Sequence, residues 1–397
     1  MNKKSYKPFK RLSVIVKPTH LCNLSCNYCY IDSNAEKGVM SNKTLENLIF
    51  KTVSTHKSVS FIWHGGEPLL IPLDFYKNAK ELQEKFFLQT TPAEIINKIA
   101  ERKKGGDKKS KGLKRMYHPI TNGFQSNGTL ITDAVLDFCE EYDFDIGFSL
   151  DGPKEINDKT RYFKNNESAF KKILRGIKKA KKRKVGGGAI VVVNKLNINH
   201  LTKIYEFAKK EDINLKLNPL IKSGNACKNY EDLGISPREY GNAMVDLFDK
   251  WFYDSDNLRL DPFEELIGNI LTENPWGCNY STSCQNSFIS VGPQGDVYPC
   301  GRFDGVKEFQ IGNINENSME EIINNAKRKQ LQNRADNLKV CQPCEYKKIC
   351  NSGCMHNAYM RRGRITDRDY YCASYKILFK HISEKIGVEL DKAKVGG

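Results

Sequence analysis

The clustering of the cysteines constrains this chain more than any other feature of its sequence. The chain has 13 cysteines in 397 residues, and most of them fall in two regions with short spacings. Three lie near the N-terminus, in the pattern Cys22-x3-Cys26-x2-Cys29. Eight more follow residue 276, at Cys278, Cys284, Cys300, Cys341, Cys344, Cys350, Cys354 and Cys372. A fold for this chain must explain why so many thiols lie so close together.

The sequence gives no reason to expect disulfides. The N-terminal segment MNKKSYKPFKRLSV carries charge but no apolar stretch with a cleavage site, so no secretory signal is visible and we expect a cytoplasmic protein. No run of the sequence approaches the roughly 18 to 20 apolar residues that span a bilayer, and we expect no membrane partner. Because disulfides are rare in the reducing cytosol, the clustered cysteines predict metal binding.

The first half of the chain has the pattern of repeated βα units, in which apolar runs alternate with amphipathic stretches. Strands are predicted at residues 11–19, 58–64, 118–127, 144–150, 187–193 and 215–221. Helices are predicted at 41–55, which opens with a serine cap, and at 73–88, 131–141 and 168–184. Six such units predict an α/β fold with a partial (β/α)6 TIM-like barrel. Active sites of such barrels lie at the C-terminal ends of the strands.

We divide the chain into three parts. Residues 1–235 are predicted to form the barrel, residues 236–275 a helical bridge, and residues 276–397 a small irregular domain rich in cysteine. Because the last part has little apolar periodicity, we expect metal to hold it together.

The charge of the chain raises the question of a polyanionic partner. The formal net charge is +16, but the Lys and Arg residues are spread widely, which favours an acidic peptide or protein over nucleic acid. The strongest local concentration of positive charge is ERKKGGDKKSKGLKR, residues 101–115. This segment is either a solvated loop or a docking surface for an acidic peptide.

The N-terminal cysteine motif has the chemistry of an open iron–sulfur site. Three thiolates on one short loop can hold three irons of a [4Fe–4S] cube and leave the fourth iron without a protein ligand. A cofactor could then bind that iron, much as a catalytic zinc keeps one position open. Structural zinc, with His20 as the nearest fourth ligand, is the alternative.

The motif resembles that of the radical S-adenosylmethionine (SAM) superfamily, in which an aromatic residue precedes the last cysteine, as Tyr28 does here. His64-Gly-Gly-Glu-Pro68 then ends the second predicted strand, and SNGTL (126–130) and SLDGP (149–153) follow in the family's order. The resemblance implies that the glycine-rich segment approaches the SAM amino group, because glycine has no Cβ to block that approach. The residues it assigns to the cofactor are Tyr28, His64, Gly65, Gly66, Glu67, Ser149, Arg175 and Leu220.

Some of these assignments have plain structural alternatives. The resemblance places Ser149 and Arg175 at the SAM carboxylate and ribose, and the backbone of Leu220 at the adenine. Arg175 could equally be a solvated residue on a lysine-rich helix. For Asp151 a turn or a helix cap is at least as good an explanation as substrate contact.

The eight C-terminal cysteines resemble the SPASM extension of radical SAM enzymes that modify peptides and proteins, with spacings nearest to anaerobic sulfatase-maturating enzymes. The resemblance implies two fully ligated [4Fe–4S] clusters. The first would be held by Cys278, Cys284, Cys300 and Cys354. The second would be held by Cys341, Cys344, Cys350 and Cys372. Zinc ribbons, which also use Cys-x2-Cys pairs, are the alternative.

The resemblance implies an enzyme with SAM and three [4Fe–4S] clusters, reduced by a partner such as flavodoxin or ferredoxin. The SAM-derived 5′-deoxyadenosyl radical would abstract hydrogen from a side-chain carbon of a peptide or protein substrate. An iron–sulfur electron carrier without catalytic activity is the alternative of another class, and it predicts no SAM binding.

One position in the sequence bears on which reaction and substrate the enzyme has. Sulfatase-maturating enzymes follow the third cysteine of the first auxiliary cluster with an aspartate thought to act as a base, whereas this chain reads Cys300-Gly-Arg-Phe-Asp304. Asp304 is therefore our candidate catalytic residue. The sequence favours oxidative crosslinking of a ribosomal precursor peptide through a carbon–carbon (cyclophane-type) or thioether bond. Formylglycine formation from Cys or Ser, as in a sulfatase maturase, is the alternative.

Overall fold

One ten-stranded sheet organises the computed structural model, which describes residues 9–31, 37–97, 119–282 and 284–395. The basic segment 101–115 lies outside the described residues. The spatial order of the strands is β10-β9-β8-β1-β2-β3-β4-β5-β6-β7. The strands are β1 Phe9–Val16, β2 His56–Trp63, β3 Ile120–Ser126, β4 Phe144–Ser149, β5 Gly186–Val193, β6 Leu215–Pro219, β7 Leu260–Asp261, β8 Phe288–Val291, β9 Asp296–Tyr298 and β10 Gly312–Asn313.

The six strands predicted from the sequence are parallel to one another, and each pairs with the next in chain order. The predicted α/β fold with a partial barrel is confirmed. Inward and outward residues alternate along these strands, as in β4, where Phe144, Ile146 and Phe148 are buried. Their carboxyl ends therefore meet at one edge, where the motif loops emerge.

Helices cover the outside of the sheet. The longer ones are α1 Asn42–Thr55, α2 Leu73–Thr90, α3 Asp133–Tyr142, α4 Phe170–Lys182, α5 Leu201–Glu211, α6 Pro237–Phe252, α7 Phe263–Thr272, α8 Met319–Asn324, α9 Ala326–Gln332, α10 Met355–Arg362 and α11 Cys372–Val395. Four-residue helical turns lie at Lys154–Asn157, Asn225–Lys228, Tyr230–Leu233, Cys284–Ser287, Arg334–Asn337 and Lys347–Cys350. Short 3-10 helices lie at Pro68–Leu70, Ile198–His200, Lys307–Phe309 and Lys339–Cys341. Among the described residues, no helix has both the length and the apolar character needed to cross a membrane.

Side-chain caps set the starts of two helices that the sequence predicted. Ser41 caps α1, where its Oγ accepts a hydrogen bond of 3.1 Å from the Thr44 backbone N–H. The helical bridge begins at α6 with a reciprocal capping box between Ser236 and Glu239. These caps satisfy backbone N–H groups that have no partner within the helix.

The cysteine-rich part of the chain is built onto the barrel sheet. Strand β8 pairs in parallel with β1, and β9 and β10 extend the same sheet in antiparallel pairs. Ile289, Val291 and Val297 from this part join the main hydrophobic core, and α11 packs against α6. This part is therefore held by apolar packing as well as by whatever its cysteines bind. The sequence did not predict that anchoring, because β8 and β9 are only four and three residues long.

Candidate active site and iron–sulfur centres

The N-terminal cysteine loop follows β1 at the carboxyl edge of the sheet. Its three thiols are partly buried and lie close enough to interact electrostatically. Burial raises the pKa of Cys22 and of Cys29, and it raises the pKa of Cys26 to about 12. Thiols in such a setting lose their protons when a metal binds them. The donor set therefore fits an iron–sulfur cluster.

The two glycines after His64 lie directly against the segment that leads into the cysteine loop. Gly65 has a φ of +110°, and a Cβ on it would overlap the carbonyl oxygen of Thr19. A Cβ on Gly66 would overlap the carbonyl oxygen of Leu21. Only glycine allows the end of β2 to approach the loop this closely. Close packing therefore explains why glycine is needed at both positions, in addition to the SAM contact that the family resemblance implies.

Glu67 connects the glycine-rich segment to the SNGTL loop. The carboxylate is fully buried, and Oε1 accepts hydrogen bonds from Ser126 Oγ at 2.8 Å and from the Leu69 N–H at 3.1 Å. Oε2 accepts from the Asn127 N–H at 2.7 Å. Burial raises the pKa of Glu67 to about 7, although these donors act in the opposite direction. Asn127 Nδ2 in turn lies 3.7 Å from Cys22 Sγ, so this brace reaches the cysteine loop.

We expect Glu67→Gln to destabilise the folded protein by about 1–3 kcal/mol, because an amide group cannot accept hydrogen bonds on both sides and would leave a buried donor unmatched. Urea unfolding under anaerobic conditions measures this change. Glu81→Gln is the matched control, since Glu81 is exposed on α2, and its stability should equal that of the wild type. Equal stability of the two variants would contradict the bracing role.

Tyr28 connects the cysteine loop to the SLDGP segment through hydrogen bonds. Its hydroxyl donates to Asp151 Oδ2 at 2.6 Å and accepts from Arg161 Nη2 at 2.9 Å. Asp151 is fully buried, and it also accepts from Thr160 Oγ1 at 2.9 Å and the Val192 N–H at 3.0 Å. These contacts show Asp151 joining three segments of the chain, which is neither the turn nor the helix cap considered from the sequence. The sequence did not identify Arg161, because it belongs to no motif.

The remaining residues assigned to SAM are Ser149, Leu220 and Arg175, and their surroundings differ from one another. Ser149 ends β4 and its Oγ accepts from Gln125 Nε2 at 3.2 Å. Leu220 follows β6, is buried, and its carbonyl accepts from the Tyr371 hydroxyl at 2.6 Å. Both therefore lie at carboxyl ends of strands, as predicted. Arg175 is exposed on α4, which matches the solvated alternative.

Asp304 lies beside the cysteine loop, in an ion-paired cluster that we call the Asp304 cluster: Lys17, His20 and Asp304. Asp304 Oδ2 lies 2.6 Å from Lys17 Nζ and 3.0 Å from His20 Nε2. Lys17 Nζ also donates to the Gly301 carbonyl at 3.1 Å and lies 4.7 Å from the centre of the Tyr30 ring. The Lys17 side chain is fully buried and that of Asp304 is 7% exposed. Burial opposes ionisation, but Lys17 and His20 outweigh it and lower the pKa of Asp304 to about 2.

The Asp304 cluster reaches His64 through Tyr30. The Tyr30 hydroxyl lies 3.3 Å from His64 Nδ1, which also accepts from the Gly65 N–H at 2.7 Å. Burial, and then the positive charge of Lys17, lowers the pKa of His64 to about 4, so this imidazole is neutral at physiological pH. The site therefore combines one buried cation, one carboxylate and a neutral imidazole beside the candidate cluster loop.

The eight C-terminal cysteines come together in the two groups implied by the family resemblance. Cys284 interacts with Cys278, Cys300 and Cys354. Cys350 interacts with the other group, which is completed by Cys341, Cys344 and Cys372. These last four thiols line a common pocket. No three His, Cys, Asp or Glu side chains in the described ranges are placed to hold a single metal ion.

Comparison with protein families agrees with this geometry. Residues 16–208 match the Radical SAM superfamily, and residues 278–345 match the SPASM iron–sulfur cluster-binding domain. A serine-type anaerobic sulfatase-maturating enzyme of Bacteroides thetaiotaomicron is 30% identical, over 96% of this chain and 92% of the relative. A cysteine-type enzyme of Clostridium novyi is 31% identical, over 94% of this chain and 96% of the relative.

Solved structures show the same similarity. Native anSMEcpe with bound AdoMet and Kp18Cys peptide has a TM-score of 0.80 and 27% identity, covering 96% of this chain and 99% of that chain. Streptococcus suis SuiB bound to SAM has a TM-score of 0.59 at 15% identity, covering 91% and 77%, and shares the fold alone. The chain is therefore a SAM-binding, iron–sulfur enzyme of the radical SAM superfamily. Within it, the chain belongs to the SPASM-containing family of the anaerobic sulfatase-maturating enzymes.

Proposed function

We propose that this enzyme oxidises the Cβ of a Cys or Ser side chain in a peptide or protein to formylglycine, with Asp304 as the proton acceptor. The observation that carries this proposal is the position of Asp304. Although three residues separate it from Cys300, its carboxylate lies against Lys17 and His20, beside the N-terminal cysteine loop. The identity over almost the full length of the sulfatase maturases supports the same choice over crosslinking.

We also propose three [4Fe–4S] clusters. Cys22, Cys26 and Cys29 would hold the SAM-binding cluster, and the two C-terminal groups of four would hold one cluster each. When bound, SAM and the clusters supply a hydrogen-abstracting radical and an acceptor for one electron.

Asp304 completes the proton balance of the reaction. Loss of one hydrogen atom from Cβ, one electron, and one proton from sulfur converts CH2–SH to CH=S. Water then gives the aldehyde and hydrogen sulfide. With serine, the corresponding losses give the aldehyde directly. Once the hydrogen atom and the electron have left, the resulting protonated thioaldehyde or aldehyde is a strong acid, so even a carboxylate whose pKa lies near 2 can accept its proton. Lys17 keeps that carboxylate ionised at neutral pH.

Crosslinking of a precursor peptide is the second candidate, because Gly301 occupies the position that the maturases give to aspartate. A Cβ on Gly301 would lie 3.1 Å from Ile15 Cδ1, so the backbone there packs closely against β1. A crosslinking reaction also removes hydrogen from a side-chain carbon. It differs in that no aldehyde forms.

Peptide oxidation tests the proposed function directly. Reconstituted enzyme, SAM and dithionite would be incubated anaerobically with a sulfatase-derived peptide containing Cys, with the Cys→Ser and Cys→Ala peptides as matched controls. We expect replacement of sulfur by oxygen in the Cys peptide, reaction of the product with a hydrazine probe, and no change in the Ala peptide. Loss of hydrogen without an aldehyde would favour crosslinking. SAM cleavage that none of these peptides accelerates would contradict the proposal.

A further inference from the structure

Arg328 is a buried cation whose partner is missing from the described part of the protein. It lies on α9 with 1% of its surface exposed. Its Nε and Nη1 atoms have no hydrogen-bond partner among the described residues. Burying an ionised group without a partner is costly, so native proteins pair such groups or place them beside a bound ion. The guanidinium therefore indicates an anionic group in its surroundings.

The structure places Arg328 next to the first auxiliary cysteine group. Helix α9 packs against the helical turn Cys284–Ser287, where Gln332 Nε2 donates to Asn286 Oδ1 at 2.9 Å. The Arg328 guanidinium lies close enough to Cys284 for their charges to interact when that thiol is ionised. The unpartnered N–H groups thus lie near a thiol proposed to ligate iron.

A second arginine faces the same cysteine group from another element. Arg302 Nη1 lies 3.7 Å from Cys354 Sγ and 3.5 Å from Asn357 Oδ1. Its guanidinium interacts electrostatically with Cys278, Cys354 and Cys300 when these thiols are ionised. All four ligands of the first group therefore have a guanidinium as a neighbour.

The second auxiliary group has different surroundings. Its cavity contains the buried carboxylate of Asp369, which is the foremost charged neighbour of Cys350 and also accepts from the Cys354 N–H at 2.6 Å, so it lies between the two groups. Arg334 is buried nearby but donates to four backbone carbonyls, those of Ser352, Gly353, Ile365 and Asp367. Arg368 and Lys376 also line the cavity, but both are exposed, so water and salt screen their charges. The first group thus has a buried guanidinium beside it, that of Arg328, with two nitrogens unpartnered among the described residues, whereas the buried guanidinium beside the second group is bound to backbone carbonyls.

We propose that Arg302 and Arg328 raise the reduction potential of the iron–sulfur cluster held by Cys278, Cys284, Cys300 and Cys354 above that of the other auxiliary cluster. Reduction adds negative charge, which nearby cations and N–H donors to sulfur stabilise. The first cluster becomes the better electron acceptor of the two. It is also the one whose ligand Cys300 lies four residues before Asp304.

The test compares Arg328→Met with Arg328→Lys in the full-length reconstituted protein, using EPR-monitored redox titration and an iron count. We expect R328M to change the reduced-to-oxidised ratio of one auxiliary cluster about tenfold at a fixed potential, which is a midpoint about 59 mV lower. The other two clusters should keep their midpoints. R328K retains the charge and should stay near the wild type. Arg302→Met should shift the same cluster in the same direction.

The outcomes separate this inference from the cluster assignment on which it rests. About four irons per wild-type chain would refute the assignment itself. Full iron content with no selective shift in R328M would refute the inference alone. If R328M loses iron, Arg328→Gln replaces it in the titration, because glutamine keeps an N–H donor but no charge. We then expect Arg328→Gln to lower the midpoint potential of the same cluster. Iron loss in both would overturn the redox role, because the arginine would then serve cluster assembly.

Discussion

Replacing Cys22, Cys26 and Cys29 together with alanine will abolish SAM cleavage and remove about four irons per chain. These three thiols are the only ligands proposed for the SAM-binding cluster, and the two C-terminal groups lie on other elements. The fold should survive, because β8 and α11 join the C-terminal part to the barrel through apolar packing. Iron content and dithionite-driven 5′-deoxyadenosine measure the two effects.

Cys227→Ala is the matched control for the triple variant. Cys227 is exposed and lies in the helical turn Asn225–Lys228, so this variant should keep full iron and full cleavage. The cluster assignment fails if the triple variant retains the iron content of the wild type. It also fails if the lost iron proves to come from the C-terminal groups.

Asp304→Asn will lower the rate of peptide oxidation about 100-fold or more, which is the usual contribution of a positioned proton acceptor. SAM cleavage should continue, because the cysteine loop and the glycine-rich segment are unchanged. Asparagine can still accept a hydrogen bond from Lys17 but carries no charge, so the variant should also lose about 3 kcal/mol of stability. Product formation, 5′-deoxyadenosine and urea unfolding are measured on the same preparation.

A Lys17→Met/Asp304→Asn double variant separates chemistry from stability. It removes the buried ammonium that D304N leaves without a counter-charge, so its stability should recover. Its peptide oxidation should remain as low as in D304N. If activity returns together with stability, Asp304 acts only as an ion-pair partner of Lys17, and the proton acceptor lies elsewhere.

The local pattern of apolar and polar residues was enough to predict the parallel strands and helices of the barrel. Each strand is a short apolar run, and the Ser41 cap marks the start of α1. The C-terminal extension of the sheet could not be predicted, because β8 pairs with a strand more than 270 residues away. Nothing in four residues specifies such a partner. We predicted that metal would be needed to hold residues 276–397 together, and that prediction did not include the pairing of β8 with the barrel sheet.

The cysteine groups were found because thiols are rare and their spacing is informative. The partners of Asp304 were not found, since Lys17 and His20 lie 287 and 284 residues away in sequence. Arg302 and Arg328 were not singled out among the 63 Lys and Arg residues, because only their positions in space distinguish them. Arg302 lies against Cys354, and Arg328 is buried with two nitrogens that have no hydrogen-bond partner among the described residues. The assignment of Arg175 to SAM, which came from its position in the sequence, stays a prediction, and its side chain is exposed on α4.

Transfer of deuterium from the substrate tests the central claim most directly. A sulfatase-derived peptide deuterated at the Cβ of its cysteine would be incubated with the enzyme, SAM and dithionite, and the 5′-deoxyadenosine analysed by mass spectrometry. We predict that deuterium appears in 5′-deoxyadenosine together with formylglycine in the peptide. Formylglycine or crosslinked product without deuterium in the nucleoside would show that hydrogen is taken from another position, and it would contradict the account.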